Sequence, residues 1–134
     1  MQTLDQIADR LALCPANAWL GLVPVAVDAN SVKFRIPVRA EMAGSPVTGA
    51  MHGGMLAALI DTLCSFAWLS QNAGRVSTVD MRIDFHRPAV NGELIGIGKL
   101  VRAGRKIVTA DAEITDLDGK LLASGRAVMI PFPD

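Results

Sequence analysis

The chain has 134 residues with 13 basic and 13 acidic side chains, so its formal net charge is zero and no global field would draw it to nucleic acid or an anionic membrane. Hydrophobic residues make up 51% and charged ones 19%, which argues against intrinsic disorder and supplies a real core. The length suits one domain spanning residues 1–134 better than two.

Residues 2–13 place Leu4, Ile7, Ala8 and Leu11 at helical spacing opposite Asp5, Asp9 and Arg10, with Thr3 as the cap, and predict a short amphipathic helix ending before Pro15. Residues 22–39 hold two β-rich runs around Asp28-Ala29-Asn30, a hairpin in which Val32, Phe34, Ile36 and Val38 alternate with polar neighbours. Gly44, Ser45, Pro46 and Gly49 mark residues 40–50 as a loop. From Gly54 to Leu69 the chain is apolar on nearly every side, and a helix of that kind must be buried. It falls short of the roughly 20 apolar residues of a membrane span and carries a carboxylate.

Four stretches with strand character follow, at 75–86, 93–102, 106–116 and 120–130, the last two joined by Asp118-Gly119. In the first of them the odd positions Val79, Met81, Ile83 and Phe85 are expected inward; in the third, Val108, Ala110, Ala112 and Ile114. The fold class is α+β, a single antiparallel sheet curling around one apolar helix and leaving one side of that helix for a partner. A near-neutral chain so rich in aliphatic side chains is expected to form an oligomer. Cys14 and Cys64 stand far apart with no paired-cysteine motif, and the chain opens without a basic segment leading into an apolar run, so a reduced, cytoplasmic protein is expected.

Asp61 is the only charged residue between Gly54 and Leu69. An unpaired carboxylate is costly to bury, and burial raises a carboxyl pKa toward the range of a general base at neutral pH. A capping or ion-pairing role is the bland alternative. His52-Gly53-Gly54 stands where the loop becomes the helix, so the Gly53 and Gly54 amides belong to the first turn, whose donors lack intrahelical partners. Together with the helix dipole they form the ingredients of an oxyanion hole, against the plainer reading of a glycine-rich entry turn. Eight residues separate Gly53 from Asp61, roughly 12 Å along one helix axis, too far to share one reacting carbon. Serving one site would take an antiparallel second helix, hence a two-fold dimer with two equivalent sites.

The runs MHGGMLAALID, TVDMRIDFHRPA and DGKLLASGRAVM resemble the hotdog-fold acyl-CoA thioesterases of the phenylacetate-degradation (PaaI-like) type over about residues 40–130. The resemblance implies a curved antiparallel sheet wrapped around one long helix, dimers that commonly associate into homotetramers, and an acyl-CoA substrate. It implies that the Gly53 amide polarises the thioester carbonyl, that His52 supports that end, and that Asp61 of the other subunit is general base or nucleophile. A hydroxyl on the strand after the helix orients the water in that family. Thr78 is the expected residue, although strict alternation gives Ser77 the phase of Val79, so a bulge or the subunit boundary must decide. Many members carry Asn six residues before the His; this chain has Pro46, with Ser45 or Thr48 as substitutes.

For the coenzyme phosphates the candidates are Arg87, beside Pro88, and Arg102, Arg105 and Lys106 around Gly104, against the alternative of a solvated basic turn. His86 reads as a polar-face strand residue, and Met51 and Met55 as packing. Phe66 and Trp68 suggest an apolar pocket, suited equally to an aryl or a medium aliphatic acyl group. No zinc-site spacing, nucleophile elbow, phosphate loop or dinucleotide fingerprint occurs, so neither a metal nor a redox cofactor is expected. The departure at Pro46 supports a second reading, a non-catalytic acyl-CoA binding or sensing protein. A hydratase on the same fold ranks last, since its motifs are not seen.

Overall fold

Thr3 opens the first helix through a reciprocal pair of bonds: its hydroxyl accepts the Gln6 N–H at 3.2 Å, and the Gln6 side chain accepts the Thr3 N–H at 2.9 Å. In the computed structural model, which describes residues 1–90, 92–132 and 134, this helix, α1 (Leu4–Leu13), buries Ile7 and Leu11. Pro15 does not end the helical region. It starts a second short helix, α2 (Pro15–Leu20), because the first position of a helix has no use for an N–H and favours proline's fixed φ. Gly21, at φ 76°, closes α2 in the left-handed conformation. The expected hairpin follows as β1 (Val23–Val27) and β2 (Ser31–Pro37). Asp28 sets its turn, one carboxylate oxygen accepting the Asn30 and Ser31 N–H groups, each at 2.9 Å. A single 3₁₀ turn, Ala40–Met42, interrupts the loop before the long helix α3 (Gly53–Leu69).

The second half supplies β3 (Arg75–Phe85), β4 (Glu93–Ala103), β5 (Val108–Thr115) and β6 (Leu121–Phe132). All pairings in the six-stranded sheet are antiparallel, and the strand order is β1-β2-β4-β5-β6-β3. α3 packs on the inner face, against β3, β4, β5 and β6, and to a lesser extent β2. Val32, Phe34 and Ile36 of β2 and Val108, Ala110, Ala112 and Ile114 of β5 point inward and are buried, as alternation predicts. The outer face is solvated and carries paired charges such as Arg126 with Asp111. This is the hotdog arrangement, a curved antiparallel sheet around one long helix.

What lets the sheet close on α3 is a row of missing side chains. Gly98 of β4 pairs with Ala112 of β5, which pairs with Gly125 of β6, so three neighbouring strands present almost no bulk where the helix crosses. A Cβ on Gly98 would overlap the main-chain carbonyl oxygen of Leu63 and lie 2.7 Å from its carbon. Backbone cannot rotate away as a side chain can, so Gly98→Ala should cost about 3 kcal/mol through overpacking. The check is the urea midpoint of unfolding, and an unshifted midpoint would mean that α3 is not seated on this row.

The side of α3 expected to stay open is present: Leu56, Leu59, Ile60, Leu63, Cys64 and Ala67 are buried, whereas Ala57, Ala58, Asp61, Ser65 and Leu69 form a half-exposed stripe along one side. The unbroken alternation expected of β3 needs correction. Its register with β6 shifts between Thr78 and Asp80, a bulge that leaves Val79 62% exposed. Val76, Met81 and Ile83 pack against the core, whereas Phe85 is 58% exposed at the strand's end. β3 is also an edge strand, with one row of N–H and C=O groups unpaired by the sheet. Cys64 is a packing residue; burial above all pushes its thiol up to about 12, well away from thiolate chemistry at neutral pH. Cys14 is exposed at the α1–α2 junction.

Candidate active site

The loop before α3 is built to place His52. The Met51 N–H donates to Ala89 O at 2.7 Å and the His52 N–H to Met42 O at 2.8 Å, fixing the chain on both sides. Gly44 packs so closely that a Cβ there would lie 2.8 Å from His52 Cα. His52 is the N-cap of α3, and its Nδ1 accepts the Gly54 N–H at 2.8 Å, which puts the proton of the neutral ring on Nε2. Gly54 is thereby corrected as a ligand-binding donor, since its amide is spent on the cap. Among the described residues no acceptor bonds to the Gly53 N–H. That amide stands at the positive end of a helix of 17 residues.

The Phe85 ring lies beside Gly53, its Cε1 at 3.4 Å from where a Gly53 Cβ would be. Gly53, Phe85, His86, Arg87 and Pro88 border one shallow hollow of about 340 Å³. Arg87 is held there by donating to Leu121 O at 2.9 Å, and His86 Nε2 is 2.8 Å from Ser124 Oγ. Ser45 and Thr48, the two substitutes for an Asn at position 46, hold their own turn. Ser45 Oγ accepts the Val47 and Thr48 N–H groups, and Thr48 Oγ1 accepts the Ala50 N–H.

Asp61 is half-exposed rather than sunk in the core, and it lies two turns along α3 from Gly53. The bulge in β3 turns Thr78 toward the helix, where its hydroxyl donates to Asp61 Oδ1 at 2.6 Å. Ser77 is exposed and stands opposite Ile130. Asp61 borders a cleft of about 380 Å³ between α2, α3 and the start of β3, lined also by Asn17, Leu20, Thr62, Phe66, Leu69 and Val76. The sequence reading missed the α2 side of this cleft, although Pro15 and Gly21 are the signals of a short helix.

Arg102, Arg105 and Lys106 surround a separate hollow of about 520 Å³ at the β4–β5 turn. Arg105 and Gly104 border a further hollow with Trp68 and Asn72, at the far end of α3 from Gly53. Within one protomer, then, Arg87 joins Gly53 and Thr78 joins Asp61, while the two groups remain apart and the basic turn stands away from Gly53. Among the described residues no three His, Cys, Asp or Glu side chains cluster as metal ligands would, and no helix is long and apolar enough to cross a membrane.

Residues 48–123 match the thioesterase superfamily. Acyl-coenzyme A thioesterase 13 of Mus musculus is 31% identical over 103 residues, which cover 75% of this chain and 74% of the mouse protein. Medium/long-chain acyl-CoA thioesterase YigI of Salmonella typhimurium is 25% identical over 128 residues, with 84% and 83% covered. Among solved structures, an X-ray structure of a thioesterase-superfamily protein superposes with a TM-score of 0.89 at 34% identity, covering 95% of this chain and 96% of the other. A phenylacetic acid degradation-related protein of Ralstonia eutropha JMP134 superposes with a TM-score of 0.82 at 30% identity, covering 95% and 98%. Fold and relatives together define a hotdog-fold thioester hydrolase. The chain belongs to the thioesterase superfamily.

Proposed function

We propose that the chain, acting as one domain over residues 1–134, hydrolyses acyl-CoA thioesters to a carboxylic acid and free CoA in a cytoplasmic homodimer, itself paired into a tetramer. The observation that carries this reading is the division of labour along α3: an unengaged amide at Gly53, and a carboxylate held by Thr78 two turns away. Neither group reaches the other's reacting atom within one protomer. A two-fold axis that lays a second α3 antiparallel alongside the first brings the partner subunit's Asp61 opposite Gly53. The unpaired edge of β3 offers the strand through which the two sheets join.

In this arrangement the thioester carbonyl oxygen lies against the Gly53 N–H, where negative charge develops during attack. The Thr78 hydroxyl occupies Oδ1 of the carboxylate, and Oδ2 takes a proton from the attacking water, so Asp61 serves as general base. The tetrahedral intermediate collapses with cleavage of the C–S bond, and the CoA thiolate leaves and is protonated. His52 holds the helix entry rigid through the Gly54 amide, and Arg87 borders the hollow beside Gly53 where the coenzyme arm would emerge. Arg102, Arg105 and Lys106 of the partner subunit are the further phosphate ligands of this reading.

The test is thiol release from a panel of aryl and aliphatic acyl-CoAs. Turnover of at least some of them is expected. Pro46, together with the engaged Ser45 and Thr48 hydroxyls, favours one second reading, a binding or sensing protein. Saturable acyl-CoA binding with no thiol release across the panel would establish that reading instead.

A further inference from the structure

The cleft that reaches Asp61 is apolar for most of its length, with Leu20, Phe66, Leu69 and Val76 on its walls. From Ala58 to Leu69 it follows α3 over twelve residues, about 16 Å from first to last. Besides Asp61 itself, the polar lining is Ser65 of α3, whose hydroxyl contacts Met129 Sδ at 3.8 Å, and the pair Asn17 of α2 and Thr62 of α3, whose side-chain oxygens are 3.1 Å apart. Thr62 has one hydroxyl proton and two acceptors in reach, Asn17 Oδ1 and Ala58 O at 3.0 Å. If the proton goes to Asn17, both N–H groups of the Asn17 amide remain unused. If it goes to Ala58, the amide turns to donate one N–H to Thr62, and the other remains unused. In either orientation at least one Asn17 N–H has no protein acceptor among the described residues.

Asn17 is also held in place. Arg39 donates to Trp19 O and its guanidinium lies over the Trp19 ring, 4.5 Å from the centroid, which pins the end of α2 to the chain after β2. At the other end of the helical pair, Arg10 of α1 donates to Leu69 O, Asn72 O and Gly74 O, tying α1 to the end of α3. A fixed amide donor in a largely apolar channel discriminates by presence or absence of an acceptor, because an acyl group without one covers the amide and leaves it unpaired.

Resting on the thioesterase reading above, we propose that this cleft receives the acyl group and that Asn17 selects acyl chains carrying an oxygen function a short way beyond the thioester, of the 3-hydroxyacyl class. The acyl chain runs from Asp61 toward Leu69, and the Asn17 N–H donates to its oxygen. Asn17 is a specificity-determining residue in this scheme and takes no part in the bond changes.

The experiment compares hexanoyl-CoA with 3-hydroxyhexanoyl-CoA in the wild type and in Asn17→Leu, an exchange of similar volume at a half-exposed helix position. Wild-type kcat/KM should favour the hydroxylated ester about tenfold, and Asn17→Leu should bring the ratio close to one while hexanoyl-CoA is still turned over. Equal values in the wild type, or a ratio that the substitution leaves intact, would overturn the proposal and leave thioester hydrolysis standing. If neither ester releases thiol, calorimetric affinities decide the cleft, and thioester hydrolysis is judged separately on the wider acyl-CoA panel. A tenfold tighter hydroxylated ester whose advantage Asn17→Leu removes supports the assignment, and equal affinities end it.

Discussion

Asp61→Asn is expected to lower kcat for acyl-CoA hydrolysis by about 10³-fold, within the range that a positioned general base supplies, while the thermal midpoint stays close to that of the wild type. The asymmetry follows from what the carboxylate touches. Among the described residues its one hydrogen bond is received from Thr78, and an asparagine carbonyl oxygen receives the same bond in the same place. The side chain is half-exposed, so no buried charge is left unpaired by the exchange. What disappears is the second oxygen's capacity to take a proton from water. KM should change little, since the carboxylate contributes to the attack rather than to holding the coenzyme. Thiol-release kinetics with circular dichroism melting on the same preparation decide the matter: a kcat within a few-fold of wild type would remove Asp61 from the reaction.

The parts of the molecule that sequence patterning made legible are those in which one period runs unbroken. α3 differs from its predicted span by one residue, and β5 alternates as predicted from Val108 to Ile114 because neither element is interrupted. Errors arose where a local device changes the period or the neighbour. Pro15 reads as a stop when only the helix before it is considered, and as a start once the chain can continue into α2, so one wall of the Asp61 cleft was invisible. The bulge at Val79 cannot be derived from alternation, since it consists of one residue that breaks alternation, yet it decides that Thr78 rather than Ser77 meets Asp61.

An open side of α3 is legible in the sequence, but the exposure of Asp61 is not: Ala57, Ala58 and Ser65 flank it with small side chains, and which side of a uniformly apolar helix stays open depends on where the sheet's edge falls. Gly98 and Gly125 are glycines inside strands, with no side chain for alternation to place. Only the register with Ala112 shows them as the seat on which α3 rests.

Gly53→Pro isolates the other half of the proposed chemistry, because the catalytic group there is a backbone N–H that no ordinary substitution removes. Proline is tolerated at the first position of a helix, and His52, at φ −58° and ψ 132°, already has the extended conformation that a residue preceding proline requires. A Cβ there meets the Phe85 ring at 3.4 Å, ordinary contact distance. The fold should survive, and kcat should fall by about 10²–10³, the usual loss for one oxyanion donor. Mixing the two defective proteins then tests the subunit arrangement. If Gly53 of one protomer works with Asp61 of the other, each mixed dimer of Gly53→Pro and Asp61→Asn chains contains one site with both defects and one with neither. Random reassortment of equal amounts makes half the dimers mixed, so roughly a quarter of wild-type activity should return after subunit exchange. A site drawn from a single protomer would carry one defect in every copy and regain nothing, however long the mixture is left to exchange.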